Sequence, residues 1–181
     1  MSLNNVNGGS ARYIVEHDPH PLPASTQGKI DMGRGPIDAF SRRVQALRLE
    51  TKWLLGDLQS RGKLVLGYGA STKGNTLLQY YGLDDGLLPA IADRNPEKIG
   101  LRTVGTNIPI ISEEEMRGRQ PDYLLILPWA SHFVEAFRIR EAEFLARGGQ
   151  FILPLPELKI WPGGDTDAGI LTGHAATGAR D

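Results

Sequence analysis

Short apolar runs alternate with segments of helical spacing through the middle of the chain. Five runs are predicted to be strands: Lys63–Gly67, Leu88–Asp93, Ile108–Ile111, Tyr123–Leu127 and Phe151–Leu155. Strands that alternate with helices favour a parallel sheet with helices on both faces and right-handed crossovers. The sequence therefore predicts the α/β class, as a Rossmann-like three-layer domain with a roughly five-stranded parallel sheet.

The longest predicted helix runs from Pro36 to Arg61. Pro36 suits a first helical turn, and Gly62 supplies a stop. Apolar residues recur in this segment every three or four positions, which places them on one face of the helix. We expect the sheet to cover that face. Its members, with the threonine as a neutral position, are Ile37, Phe40, Val44, Leu47, Thr51, Leu54 and Leu58.

The same spacing predicts further helices at Gly74–Tyr81 and Phe133–Arg147. Ser112 and Glu115 have the spacing of a capping box, which indicates the start of a shorter helix. These helices would supply the crossovers between the parallel strands.

The two ends of the chain differ from its centre. Pro and Gly are frequent from His17 to Gly35, as is typical of a linker, and Arg12–Glu16 is predicted to be a short strand. A lone strand needs the edge of another sheet, so homo-oligomer formation is one hypothesis. We predict an N-terminal strand and linker over residues 1–35, the folded domain over 36–161 and a mobile tail over 162–181.

Charge and composition exclude several classes of function. The 20 basic and 21 acidic residues give a net charge of -1, so no overall field attracts nucleic acid or anionic lipid. Without cysteine, and with its four histidines scattered, the chain is predicted to hold no metal. It has no apolar run long enough to span a membrane and no leader pattern, so the expected location is the cytoplasm.

The turn after the first strand is the leading candidate site, because ligands of open α/β sheets bind beyond the carboxyl ends of the strands. Glycines allow close approach of the backbone, and the amides of a helix start favour an anion. The predicted substrate-binding residues of this turn are Gly67, Tyr68, Gly69, Ala70, Ser71, Thr72, Lys73, Gly74 and Asn75.

Known phosphate-binding motifs fit this turn only in part. Gly69 and Gly74 have the P-loop spacing, but Asn75 stands where the phosphate-clamping lysine belongs, which disfavours ATP or GTP hydrolysis. For a dinucleotide fingerprint the third glycine comes two positions late. The alternative is that the glycines only allow the strand and the helix to pack.

The end of the second strand adds Asp93, Arg94 and Asn95 to the predicted substrate-binding residues. Asp93 follows Gly69 at about the spacing at which an acid meets a ribose hydroxyl. Equally, Asp93 could cap the turn before Pro96. The sequence leaves both interpretations open.

Basic and aromatic residues extend the predicted pocket. Arg94, Lys98 and Arg102 form either a basic rim for a diphosphate or a solvated surface. After the fourth strand, Trp129 could stack on a base or a sugar. His132 could hydrogen-bond to the ligand, or it could only cap a helix or be a surface residue.

Glu157, after the fifth strand, is the last predicted pocket residue, and no second acid or base presents itself as its partner. The sequence also lacks a Gly-x-Ser-x-Gly elbow and carboxylates that could be paired at one site. We therefore predict a binding pocket and assign no catalytic residue.

Six motifs follow one another along the chain: Asn7–Ser10, Gly67–Leu78, Asp93–Pro96, Gly105–Ile110, Leu127–Trp129 and Phe151–Glu157. In this order they resemble the C-terminal domain of the S-adenosylmethionine-dependent C-methyltransferases that act on nucleotide-linked deoxysugars. The resemblance extends from about Asn5 to Pro162. Six ordered motifs are much more specific than one glycine loop.

The resemblance implies a part in a larger enzyme. Members of the family carry an N-terminal zinc-binding piece, a central methyl-donor domain and this Rossmann-like domain, which helps to hold the nucleotide sugar. By resemblance, Lys73 and its turn would face the diphosphate of a dTDP-deoxysugar type of substrate, and Asn5–Glu16 would be the last strand of the methyl-donor domain. The chain departs from the family pattern at Asn7, where the family has histidine, and in the segment after Trp129.

By resemblance, the function is that of the substrate-binding domain of a sugar C-methyltransferase. S-adenosylmethionine would serve the complete enzyme from a domain in the same or another chain, and these residues alone would hold no cofactor and transfer no methyl group. One alternative is a free-standing nucleotide or dinucleotide-binding module. Another is a docking module that binds no ligand and uses the first helix and the N-terminal strand.

Overall fold

The computed structural model describes residues 2–4, 10–12 and 34–162 of the chain. The chain divides into two compact units, Met1–Arg43 and Val44–Asp181. Nearly all of the predicted linker and tail lies outside the described residues. The predicted domain limits at residues 35 and 161 therefore stay predictions.

The N-terminal unit contains a pair of short strands. β1 (Ser2–Asn4) and β2 (Ser10–Arg12) are antiparallel, with Leu3 opposite Ala11. The predicted strand Arg12–Glu16 overlaps β2 at Arg12 alone, so it stays a prediction. Strands of three residues are too short to show alternation in the sequence. The rest of the predicted strand, residues 13–16, lies outside the described residues.

The first helix, α1 (Arg34–Ser60), agrees with the helix predicted between residues 36 and 61. Its apolar face is covered only toward its end, where Leu54, Leu55 and Leu58 are fully buried. Ile37 is 48% exposed and Phe40 is 60% exposed. The expectation that the sheet covers this face is confirmed for Leu54 and Leu58. Ile37 and Phe40 belong to the N-terminal unit, and for them it stays a prediction.

The second unit is built on a six-stranded sheet. Its strands are β3 (Val65–Tyr68), β4 (Ile91–Ala92), β5 (Ile110–Ile111), β6 (Tyr123–Ile126), β7 (Gln150–Leu153) and β8 (Lys159–Trp161). They lie in the order β5-β4-β3-β6-β7-β8. The pairs from β5 to β7 are parallel, and β8 is antiparallel to β7.

The five predicted parallel strands are confirmed as β3 to β7. The antiparallel sixth strand, β8, was not predicted, because it is short, follows a proline-rich turn and has no periodicity of its own. The sequence pattern assigns Tyr68 to the glycine turn, but it is the last residue of β3 and lies between Ala92 and Ile126 in the ladder. The strand is therefore longer toward the candidate site than its apolar run suggests.

Four shorter helices connect the strands: α2 (Thr72–Tyr81), α3 (Glu113–Gly118), α4 (Ser131–Arg140) and α5 (Ala142–Ala146). The single helix predicted over residues 133–147 is thus two helices, and the chain leaves helical geometry at Glu141 (φ -104°, ψ 32°). The predicted cap of α3 is confirmed, since Ser112 Oγ accepts a hydrogen bond from the Glu115 amide at 3.0 Å.

Alternate side chains of the strands face opposite layers. Val65 and Leu125 pack in one buried cluster with residues of α1 and α2. Leu66 and Leu124 pack in a second cluster with residues of α3, α4 and α5. Helices on both faces of a mostly parallel sheet confirm the Rossmann-like α/β class. Among the described residues, none of the helices combines the length and the apolarity needed to cross a membrane.

Candidate functional site

The candidate site lies at the topological switch point of the sheet. β3 is flanked by β4 on one side and β6 on the other. The chain leaves β3 toward the layer of α1 and α2, and it leaves β6 toward the layer of α3 to α5. Ligands of doubly wound sheets bind in the crevice where the connections diverge. The turns after β3 and β6 are therefore the strongest candidates for a ligand site.

The turn after β3 leads directly into α2. Ser71 is its N-cap, and its Oγ accepts a hydrogen bond from the Gly74 amide at 3.0 Å. Thr72 and Lys73 open the helix, and their amides have no acceptor within it. Both of these side chains are exposed. Two amides without an acceptor in the helix, the positive end of a ten-residue helix and one exposed lysine side chain therefore occur together at this turn.

Each glycine of the turn has a packing reason. A Cβ on Gly67 would lie 2.7 Å from Ile91 Cγ1, one on Gly69 2.6 Å from Pro128 Cγ, and one on Gly74 2.7 Å from Leu127 Cβ. Gly69 also has a positive φ of 83°. At all three glycines, the position that a Cβ would occupy thus lies against other protein atoms. This agrees with the alternative that the glycines only allow the strand and the helix to pack.

Two other residues of the predicted turn site have less accessible polar groups. The Tyr68 hydroxyl is 2.8 Å from Glu113 Oε1 and 2.7 Å from Glu141 Oε1, on the face covered by α3 to α5. Burial, followed by these two carboxylates, raises the pKa of Tyr68 far above its ordinary value, so the phenol stays protonated. Asn75 Oδ1 is buried with no hydrogen-bond partner among the described residues.

The residues after β4 form a local turn. Asp93 Oδ1 accepts a hydrogen bond from the Asn95 amide at 2.8 Å, and Asn95 Oδ1 accepts one from the Glu97 amide at 3.0 Å. This geometry supports the interpretation of Asp93 as a turn cap. Arg94 between them is exposed.

The residues after β6 provide aromatic side chains. Trp129 is half-buried and packs against the cluster that contains α1 and α2. His132 is exposed, and its ring centre is 4.2 Å from that of Phe133. The helix cap is Ala130, so His132 is not the cap. Phe133 is 42% exposed beside the predicted pocket residues, and no sequence signal distinguished it from a core residue.

Glu157 lies in the turn between β7 and β8. Its carboxylate is exposed and 2.7 Å from Lys159 Nζ, and this contact lowers the pKa of Glu157 below its ordinary value. No group of three or more metal-ligating side chains occurs among the described residues.

The structure thus brings together only part of the predicted pocket. Ala70 accepts a hydrogen bond from the side chain of Lys98, which joins the turns after β3 and β4, and Gly69 contacts Pro128 after β6. Tyr68 is directed to another cluster, and Glu157 pairs with β8. The turn after β3 does not fit S-adenosylmethionine as a glycine cradle, because the space beside each of its glycines is filled by protein.

Comparison with known proteins gives two findings. The family model of the C-methyltransferase C-terminal domain matches residues 5–156. C-methyltransferase NovU of Streptomyces niveus is 37% identical over 166 residues, which cover 86% of this chain. The chain spans 39% of the length of that relative.

Proposed function

The chain belongs to the C-methyltransferase C-terminal domain family, and we propose that it binds the nucleotide-sugar substrate of a sugar C-methyltransferase. The observation that carries this proposal is the convergence of donors at the switch point. The amides of Thr72 and Lys73, the Lys73 ammonium and the Lys98 ammonium all belong to the turns after β3 and β4. Such a group of donors suits a diphosphate.

The substrate would be of the dTDP-deoxysugar type, with its diphosphate at the start of α2. Thr72 and Lys73 would bind it directly, while Gly67, Gly69 and Gly74 would set the path of the backbone. The exposed side chains of Arg94 and His132 would lie at the rim of the pocket. For Tyr68 and Glu157 the contacts within the protein favour structural roles.

The methyl donor would come from another domain in the same or another chain. S-adenosylmethionine does not fit the glycine turn after β3, so we assign the chemistry of methyl transfer to that partner and none of its steps to these residues. The cytoplasmic location and homo-oligomer formation stay predictions.

Calorimetric titration with dTDP-glucose tests the proposal. We expect Lys73→Ala to weaken binding about tenfold, or by about 1.4 kcal/mol, because a charge-assisted hydrogen bond is lost. Lys159→Ala is the matched control, since Lys159 is an exposed lysine that pairs with Glu157. A folded protein that binds no dTDP-glucose at about 1 mM, a very weak affinity, would contradict the proposal, as would unchanged binding in Lys73→Ala.

One observation favours the docking module as a second candidate. Ile37 and Phe40 are exposed apolar residues on the same face of α1. A docking module would retain its partner and bind no nucleotide sugar, so the titration separates the two candidates.

A further inference from the structure

The three cations of the predicted basic rim have different surroundings. Arg94 is exposed. Arg102 Nη1 donates a hydrogen bond to the carbonyl of Asn107 at 2.6 Å, within its own loop. Lys98 instead reaches the turn after β3, where its Nζ donates to the carbonyl of Ala70 at 2.8 Å. Of these three, Lys98 is therefore the one with a hydrogen bond to the turn after β3.

Lys98 also contacts Asp93. The distance from Lys98 Nζ to Asp93 Oδ2 is 3.5 Å, and the Asp93 side chain is only 12% exposed. The other oxygen of that carboxylate is fixed by the Asn95 amide. A continuous series of contacts thus runs from the turn after β4, through Asp93 and Lys98, to Ala70.

The carbonyl of Ala70 lies between two fixed parts of the turn. The Gly69 amide donates to Ala92 O at 2.8 Å and the Ser71 amide donates to Gly69 O at 2.7 Å, so the backbone on both sides of Ala70 is fixed. An unpaired carbonyl oxygen at this place would present negative partial charge to an approaching phosphate. The ammonium group of Lys98 covers that oxygen and links the turn to β4.

We propose that Asp93 and Lys98 are positioning residues for the turn after β3. Asp93 orients Lys98, and Lys98 holds Ala70 so that the amides of Thr72 and Lys73 stay directed toward the ligand. The significance of this role rests on the proposed function. In this proposal Asp93 orients Lys98. The spacing from Gly69 had instead suggested that Asp93 binds a ribose hydroxyl.

Hydrogen exchange in the ligand-free chain tests this role without any nucleotide. We expect the amides of Ser71, Gly74 and Asn75 to exchange about tenfold faster in Lys98→Met, because a hydrogen bond to a charged group is lost. Asp93→Asn keeps an oxygen for the Asn95 amide and should give a smaller increase. The double variant should equal Lys98→Met, since Asp93 acts only through Lys98.

Two variants and one titration make the test specific. Lys98→Arg should restore most of the protection, and Glu97→Gln, at an exposed position of the same turn, should leave the exchange of these amides unchanged. Asp93→Asn should weaken thymidine diphosphate and uridine diphosphate by the same factor. A direct contact of Asp93 with the ribose 2′-hydroxyl would instead weaken uridine diphosphate alone, because thymidine diphosphate lacks that group.

The outcomes separate the two proposals. Unchanged exchange in Lys98→Met, or an Asp93→Asn effect that persists in the Lys98→Met background, would overturn the positioning role. The expected exchange pattern in a chain that binds neither diphosphate would retain the positioning role and reject the proposed function.

Discussion

The two faces of the sheet are stabilised by different kinds of contact. On the face of α1 and α2, side chains such as Leu54, Leu78 and Leu125 form an apolar cluster. The other face also has an apolar cluster, but it includes a buried ionic group at the end of β3. Apolar contacts depend on close packing, whereas a buried ionic group depends on the presence of each partner. The faces should therefore respond to different substitutions.

The ionic cluster consists of Tyr68, Glu113, Arg117, Arg140 and Glu141. Arg117 binds Glu141 through two hydrogen bonds, of 3.0 Å from Nε and 2.6 Å from Nη2. Arg140 Nη1 donates to Glu113 Oε1 at 3.1 Å. The Tyr68 hydroxyl lies within hydrogen-bond distance of both carboxylates. Two acids and two arginines thus balance in charge, and the cluster connects β3 with α3 and with the junction of α4 and α5.

The largest effect is expected from Glu141→Ala. Glu141 is 2% exposed, and its removal leaves Arg117 and the Tyr68 hydroxyl without their shared acceptor. Breaking a buried pair costs about 3–5 kcal/mol, and the partial exposure of Arg117 favours the lower end, about 3 kcal/mol. Urea unfolding measures the loss. Glu143→Ala, at an exposed position of α5, is the control. An equal loss of unfolding free energy in both variants would contradict a stabilising role of the ionic cluster.

The opposite face should be sensitive to volume instead. In Gly74→Ala the added Cβ would lie 2.7 Å from Leu127 Cβ, an atom fixed to the backbone of the chain. Overpacking of this kind costs about 1–3 kcal/mol, and we expect about 2 kcal/mol of lost unfolding free energy. Thermal or urea unfolding provides the measurement.

A second helical glycine supplies the control for this steric effect. A Cβ added to Gly56 in α1 would meet no atom of another element within 4 Å, so Gly56→Ala should be neutral or should stabilise the protein by up to about 1 kcal/mol. If Gly74→Ala behaves like Gly56→Ala, α2 does not pack on Leu127 as closely as the structure indicates.

Sequence periodicity predicted the elements whose pattern is long or entirely apolar. The extent of α1 and the central strands β3 and β6 follow from local spacing, with shifts of one or two residues at their ends. The break between α4 and α5 does not follow from local spacing. Glu141 is fixed by Arg117, which is 24 residues away, and by Tyr68, which is 73 residues away. Such partners cannot be identified from one sequence.

The candidate site shows the same limit. Glycine content located the turn after β3, and the loop after β4 was identified by its acid and its basic residues. The packing of Gly69 on Pro128, however, depends on the register between β3 and β6. Likewise, only the folded chain selects Lys98 from three basic residues and turns Asp93 toward Lys98 and the Asn95 amide.

An exposed ion pair sharpens the contrast between buried and solvated charge. Asp122, just before β6, accepts hydrogen bonds from the Leu64 amide at 2.9 Å and from Lys63 Nζ at 3.0 Å. Burial raises the pKa of the Asp122 carboxyl, but these two hydrogen bonds and the positive charges of Lys63 and Arg147 together outweigh it, and the net pKa lies below its ordinary value. Since the side chains of Lys63 and Asp122 are 46% and 37% exposed, solvent screens the pair.

The smallest effect is therefore expected from Asp122→Asn. A carboxyl whose pKa is lower in the folded chain stabilises it above the unfolded pKa, and that stability is lost as pH falls through the folded pKa. The contribution should be below about 1 kcal/mol at neutral pH and should disappear in acid. Unfolding curves at several pH values, compared with those of Asp122→Asn, measure it, because asparagine keeps an acceptor for the Leu64 amide. A difference that stays constant from neutral pH into acid would contradict a role for the charge, and one as large as that of Glu141→Ala would contradict the distinction between buried and solvated ion pairs.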